Sequence, residues 1–212
     1  MRFTLKLVVA VLLVRAALSA AAGVYEELIA ATQTGNVAKV QSLLERGASV
    51  DTVDDLGTSL LGIAARAGHG ELVALLLARG AKVDMPNRFG DTPIMLAALN
   101  GHIDVVKRLY AKGARVNRSG WNPLIYAATG GHAAIVELLL QLGADVNSAS
   151  DNGMTALMMA ARENHLETVK VLLSHGADSN RRNDAGRTAL GIAMERGHEK
   201  VAELLRAHGA KQ

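Results

Sequence analysis

A period of about 33 residues runs through this chain and constrains its fold more than any other feature. Gly47, Gly80, Gly113, Gly143, Gly176 and Gly209 are spaced 33, 33, 30, 33 and 33 residues apart. A second column holds Gly68-His69, Gly101-His102, Gly131-His132 and Gly197-His198, with Gly35-Asn36 and Asn164-His165 in the same slot. A third reads Gly57, Gly90, Gly120, Gly153 and Gly186. A unit this short cannot enclose a core alone. Neighbouring units must bury one another's apolar faces, and the chain reads as a solenoid.

Each column has a physical reason. Two residues after the third-column glycine stand Ser59, Thr92, Asn122, Thr155 and Thr188, all good helix N-caps. Pro93 and Pro123 follow two of them, at the first helical position, where a missing N–H costs little. Ala64-Ala65, Ala97-Ala98, Ala127-Ala128 and Ala160-Ala161 then allow helices to approach closely. The glycine after each Leu-rich stretch, such as 72–77, fits a left-handed helix stop. Beyond it comes Ala-x-Val-Asp or a variant at 48–51, 81–84, 114–117 and 144–147, an extended segment entering a turn. Aromatics are few, with one Trp, three Tyr and two Phe. The core must therefore be built from small and aliphatic side chains, which suits packed helices.

The pattern resembles the ankyrin repeat family, best in Gly90-Asp91-Thr92-Pro93-Ile94-Met95-Leu96-Ala97-Ala98, running on through Gly101-His102 to Gly113-Ala114. The resemblance covers about residues 24–212. It implies an all-α repeat solenoid of about six units, each a helix-turn-helix plus a β-hairpin finger. The expected units are about 24–55, 56–88, 89–118, 119–151, 152–184 and 185–212, in a repeat domain over 23–212. The resemblance further implies that a concave face, made of finger tips and first helices, binds partner proteins.

The chain departs from the family pattern in places. The family's His after the Pro-Leu pair is replaced by Gly62, Met95, Ile125, Met158 and Gly191, so the bonds that His makes are expected to be missing. The first unit has no finger before it. The last carries Glu199, Lys200, Glu203, Arg206 and His208 on its second helix, a wet capping face. One finger is clipped: Asn117 and Gly120 enclose only Arg118-Ser119, where other units have five residues, such as 85–89. A notch in the row of tips is expected there, open to a partner loop.

Residues 1–22 read as an address. Arg2 and Lys6 precede an unbroken apolar run over 7–14, and the small residues 16–22 precede Gly23. This is the three-part form of a secretory signal peptide with cleavage near Ala22, although Arg15 is unusual after the apolar run. A periplasmic location is expected, with a membrane anchor retained through an uncleaved signal as the alternative. No stable membrane insertion is expected after cleavage. The chain carries 23 basic and 20 acidic residues. Arg2, Lys6 and Arg15 account for the difference (23 − 3 = 20 against 20). A body without net charge is not drawn to nucleic acid. The chain has no cysteine, which excludes disulfides, thiolate metal sites and a cysteine nucleophile.

No nucleophile–base, metal-ligand or phosphate-loop constellation appears, so no enzyme, cofactor, metal or small-molecule substrate is expected. His69, His102, His132, His165 and His198 fall once per unit, too far apart to share an ion, and in the family this position bonds loop backbone. The candidate partner-binding residues are Arg66, Arg88, Phe89, Asp91, Trp121, Met154, Arg162 and Arg187. Phe89 and Trp121 flank third-column glycines at finger tips, slots that are usually polar. Trp121 reads either as an exposed hot spot or as a ring folded over the notch to fill it. Met95, Met154, Met158 and Met159 form a soft patch that either adapts to partners or fills gaps between units. The arginines, with Arg196, stand opposite Asp91, Asp151, Glu163 and Glu195 as a mixed-charge rim. Tyr110 and Tyr126 occupy aliphatic slots and are expected in the core.

The expected function is that of an exported monomeric scaffold for another protein. By family analogy it supports a periplasmic stress-response enzyme such as a catalase. The alternative is an immunity-type inhibitor that occludes a toxic effector enzyme. A hydrolase or methionine redox role is a more distant third.

Overall fold

The computed structural model describes residues 23–211; the expected signal segment lies outside the described residues. Among the described residues twelve helices form six pairs. They are α1 (23–33), α2 (Val37–Glu45), α3 (Leu60–Ala67), α4 (Gly70–Ala78), α5 (Pro93–Leu99), α6 (Ile103–Ala111), α7 (Pro123–Thr129), α8 (Ala133–Gln141), α9 (Ala156–Arg162), α10 (Leu166–Ser174), α11 (Ala189–Glu195) and α12 (Glu199–Ala207). From α3 onward, the first helix of each pair packs on the first helix of the next, and second helices do the same from α2 to α12. Two layers of helices result, with a continuous core between them.

The layers differ because their neighbours differ. First helices are covered on nearly every side: all of 93–98 in α5 and 156–161 in α9 is buried. Their alanine pairs let adjacent helices close on one another. Second helices bury a single stripe, Val105, Val106 and Leu109 in α6 and Val201, Ala202 and Leu205 in α12, and give their other face to water. Each fully buried Leu contributes roughly 1.5–3 kcal/mol. The expected wet face of α12 is present: Glu199, Lys200, Glu203, Arg206 and His208 are exposed.

Four of the five N-caps act as read. Ser59, Asn122, Thr155 and Thr188 accept from the N–H of Gly62, Ile125, Met158 and Gly191. Thr92 is the exception; its Oγ1 is buried and has no partner. The histidine column ties unit to unit. Nε2 of His69, His102, His132, His165 and His198 meets the carbonyls of Gln33, Arg66, Leu99, Thr129 and Arg162, at 2.9–3.1 Å. Gly131 shows why glycine precedes it: φ is +75°, and a Cβ there would lie 2.5 Å from Nδ1 of His165. Asn164 occupies the equivalent place with φ +62°, which Asn tolerates better than most residues.

A second ladder escaped the sequence reading. Side chains of Asp51, Asp84, Asn117, Asn147 and Asn180 accept from the backbone N–H of Lys82, Arg115, Asp145, Asp178 and Lys211, each in the next unit. The Asp or Asn that closes Ala-x-Val-x thus pins the following turn. The fingers are tighter than the hairpins expected. Among the described residues they are turns, with isolated antiparallel bridges at Val53–Ser59 and Ala149–Thr155.

Candidate partner-binding groove

The fingers are built by local side-chain bonds. Asp54 accepts from the N–H of Leu56 and Thr58, Asn87 from Phe89 and Asp91, and Asn183 from Ala185 and Arg187. In the finger before α9, Ser150 Oγ accepts from Met154 N. These bonds curl each tip and set which side chains face outward. The clipped finger has lost the residue that would play this part. Arg118 takes over: its Nη1 donates to Gly90 O at 2.7 Å and to Met95 Sδ at 3.4 Å.

At the expected notch the Arg118 guanidinium reaches back to Gly90 and Met95 in the third unit. Trp121 does not fill the notch. The Trp121 ring stands edge-on to Tyr126, centroids 5.5 Å apart and planes at 86°, and remains 37% exposed. It walls a groove of about 410 Å³ on the C-terminal side of the clip. Met154, Met159 and Ile192 line the groove, with Arg162, Arg187, Glu195 and Arg196 beside them. First helices α9 and α11 and the fingers around Asn152 and Asp184 therefore enclose the groove together.

The other expected site residues sort by contact. Phe89 is 73% exposed at its tip, and Arg66 and Arg88 are also exposed. Arg162 pairs with Glu163 at 3.2 Å and Arg187 with Glu195 at 3.1 Å. Part of the mixed-charge rim is thus satisfied within the chain. Among the described residues Asp91 is paired with no arginine. Its carboxylate accepts from the Tyr126 hydroxyl and from Asn87 Nδ2. Met154 is 6% exposed and its sulfur accepts from Asn183 Nδ2, which sets it in the floor of the groove beside Trp121. Met95, Met158 and Met159 are likewise buried, as packing between units requires. Met95 lies under Arg118, apart from the groove lining.

Both tyrosines depart from the core expected of them. Tyr110 is 39% exposed. Tyr126 is half-buried on the inner layer. Burial, and then the Asp91 carboxylate at its hydroxyl, push the phenol above the ordinary tyrosine range, because both disfavour its anion. Among the described residues no group of three or more His, Asp or Glu side chains is gathered as a metal site requires. None of their helices is long and apolar enough to cross a membrane.

The comparison with known families decides between look-alike helical arrays. Models described as ankyrin repeats (3 copies) match residues 61–150 and 143–212, and one described as ankyrin repeats (many copies) matches 28–77. The chain belongs to the ankyrin repeat family. No individual curated protein matches it. Ankyrin repeats are protein-interaction modules, typically without catalytic activity. The groove beside Trp121 lies between fingers and first helices, where the ankyrin concave face is formed.

Proposed function

We propose that this ankyrin chain is an exported scaffold that docks a partner protein through the groove beside Trp121 and the tips bearing Phe89. The observation that carries the reading is the placement of the chain's one tryptophan. It is part-exposed over a groove with an apolar floor and arginine walls, the composition of interface anchors. Arg66, Arg88, Arg162 and Arg187 extend the same face. Export to the periplasm rests on the basic start, the apolar run and the small residues before Gly23. Support of a stress-response enzyme such as a catalase is the role that family analogy favours.

A photo-crosslinking residue placed at 121 tests the docking reading in cells. Adducts with one partner are expected there, and none from the same residue at Lys107, exposed on α6. Equal adducts at both positions, or none at 121, would refute the site. Turnover by the captured partner then separates two roles: activity maintained in the complex marks a scaffold, and activity abolished marks an inhibitor. For export, native protein should begin at or near Gly23. Intact Met1 in the cytosolic fraction would overturn it.

A further inference from the structure

The chain has seven methionines. Met95, Met154, Met158 and Met159 are buried, and Met85 is partly buried. Met194, on α11, is 39% exposed. Arg206 on α12 directs Nη2 at its sulfur, 3.1 Å away. The two residues share a cleft of about 300 Å³ with His198 and Glu203. A thioether is a weak acceptor, so a guanidinium aimed at one gains little. The same guanidinium beside an S–O oxygen would make a charge-assisted bond.

We propose that Met194 is an oxidation site that takes one oxygen from a hydroperoxide, and that Arg206 holds the resulting sulfoxide. The sulfur lone pair attacks the distal oxygen of hydrogen peroxide and the O–O bond breaks. The sulfur is oxidised by two electrons. The departing oxygen leaves as water, with the proton of the transferred oxygen moving to it. Exposure sets the selectivity, since the four buried thioethers meet peroxide only when the structure opens. Sulfoxide formation in a core breaks packing. At Met194 the new oxygen enters solvent beside an exposed guanidinium. Arg206 shifts to accommodate it, and the bond fastens α12 to α11. Met194 also borders a second cleft with Arg187 and Glu195, so the mark sits next to the ion pair at the mouth of the Trp121 groove.

The test treats the whole protein with limiting hydrogen peroxide and locates the added oxygen by peptide mass. Met194 is expected to be modified first, before Met85, with Met95, Met154, Met158 and Met159 reduced while the fold persists. The oxidised protein is expected to melt about 2 °C higher or more. In Arg206→Leu the oxygen should still add at Met194, but the rise should vanish or become a loss. Met194→Leu should show no rise at all. Modification of Met85 or a buried methionine ahead of Met194 would overturn the proposal. So would an oxidised wild type that melts at the same temperature or lower.

Discussion

Tyr126 is the residue where an apolar slot and a polar side chain meet. Leu96 and Ile63 fill the equivalent position in neighbouring units and are buried. Tyrosine cannot be buried there without a partner for its hydroxyl, and Asp91, 35 residues earlier, supplies one. Tyr126→Phe is expected to cost about 1 kcal/mol, measured by urea unfolding. The phenol's pKa is raised in the folded protein, so the fold binds that proton more tightly than the unfolded chain does. Stability should therefore be fully present below about pH 10 and decline as pH rises beyond it. The decline should be shallower in Tyr126→Phe; identical slopes would contradict the assignment. Gly131→Ala should be worse, costing about 1–3 kcal/mol more, because φ +75° and the His165 ring both oppose a Cβ. The glycine and histidine columns were legible in the sequence because each repeats one local geometry. The exposure of Tyr110 and the Tyr126–Asp91 bond were not, because alignment to aliphatic slots hides what a hydroxyl requires.

The elements repeat the same logic with one informative fault. Thr155 and Thr92 both cap first helices in sequence, yet only Thr155 makes the bond. Thr155→Val should cost about 1 kcal/mol. Thr92→Val replaces a buried, unpartnered hydroxyl with a methyl and should be neutral or stabilising. Equal losses at the two sites would refute the distinction. The clipped finger shows a similar division between sequence and structure. Its shortness is visible as a 30-residue step among steps of 33. What Arg118 does there is not, because its bond to Gly90 spans 28 residues and depends on how adjacent fingers are spaced. The ladder of Asp51, Asp84, Asn117, Asn147 and Asn180 shows the same limit. Their recurrence was plain, but their acceptor role appears only once units are stacked.

As a whole, the molecule is a row of six units whose cohesion lies mainly between neighbours. Hydrogen exchange should be slowest in α5 to α9 and faster toward either end, since end units have one neighbour. Removing the sequence from Ala185 onward would uncover the apolar flank of α9 and α10 and is expected to cause aggregation; a soluble truncation of unchanged stability would contradict the stacking. The partner face depends on the same stacking, since its groove takes α9, α11 and two fingers to enclose. The most direct measurement compares Trp121→Ala with the wild type for affinity to the crosslinked partner and for urea stability. The expected result is a loss of about 2 kcal/mol or more in binding, roughly thirtyfold, against no more than about 1 kcal/mol in folding. A large loss of stability with affinity intact would mean that Trp121 serves the fold and that partners dock elsewhere.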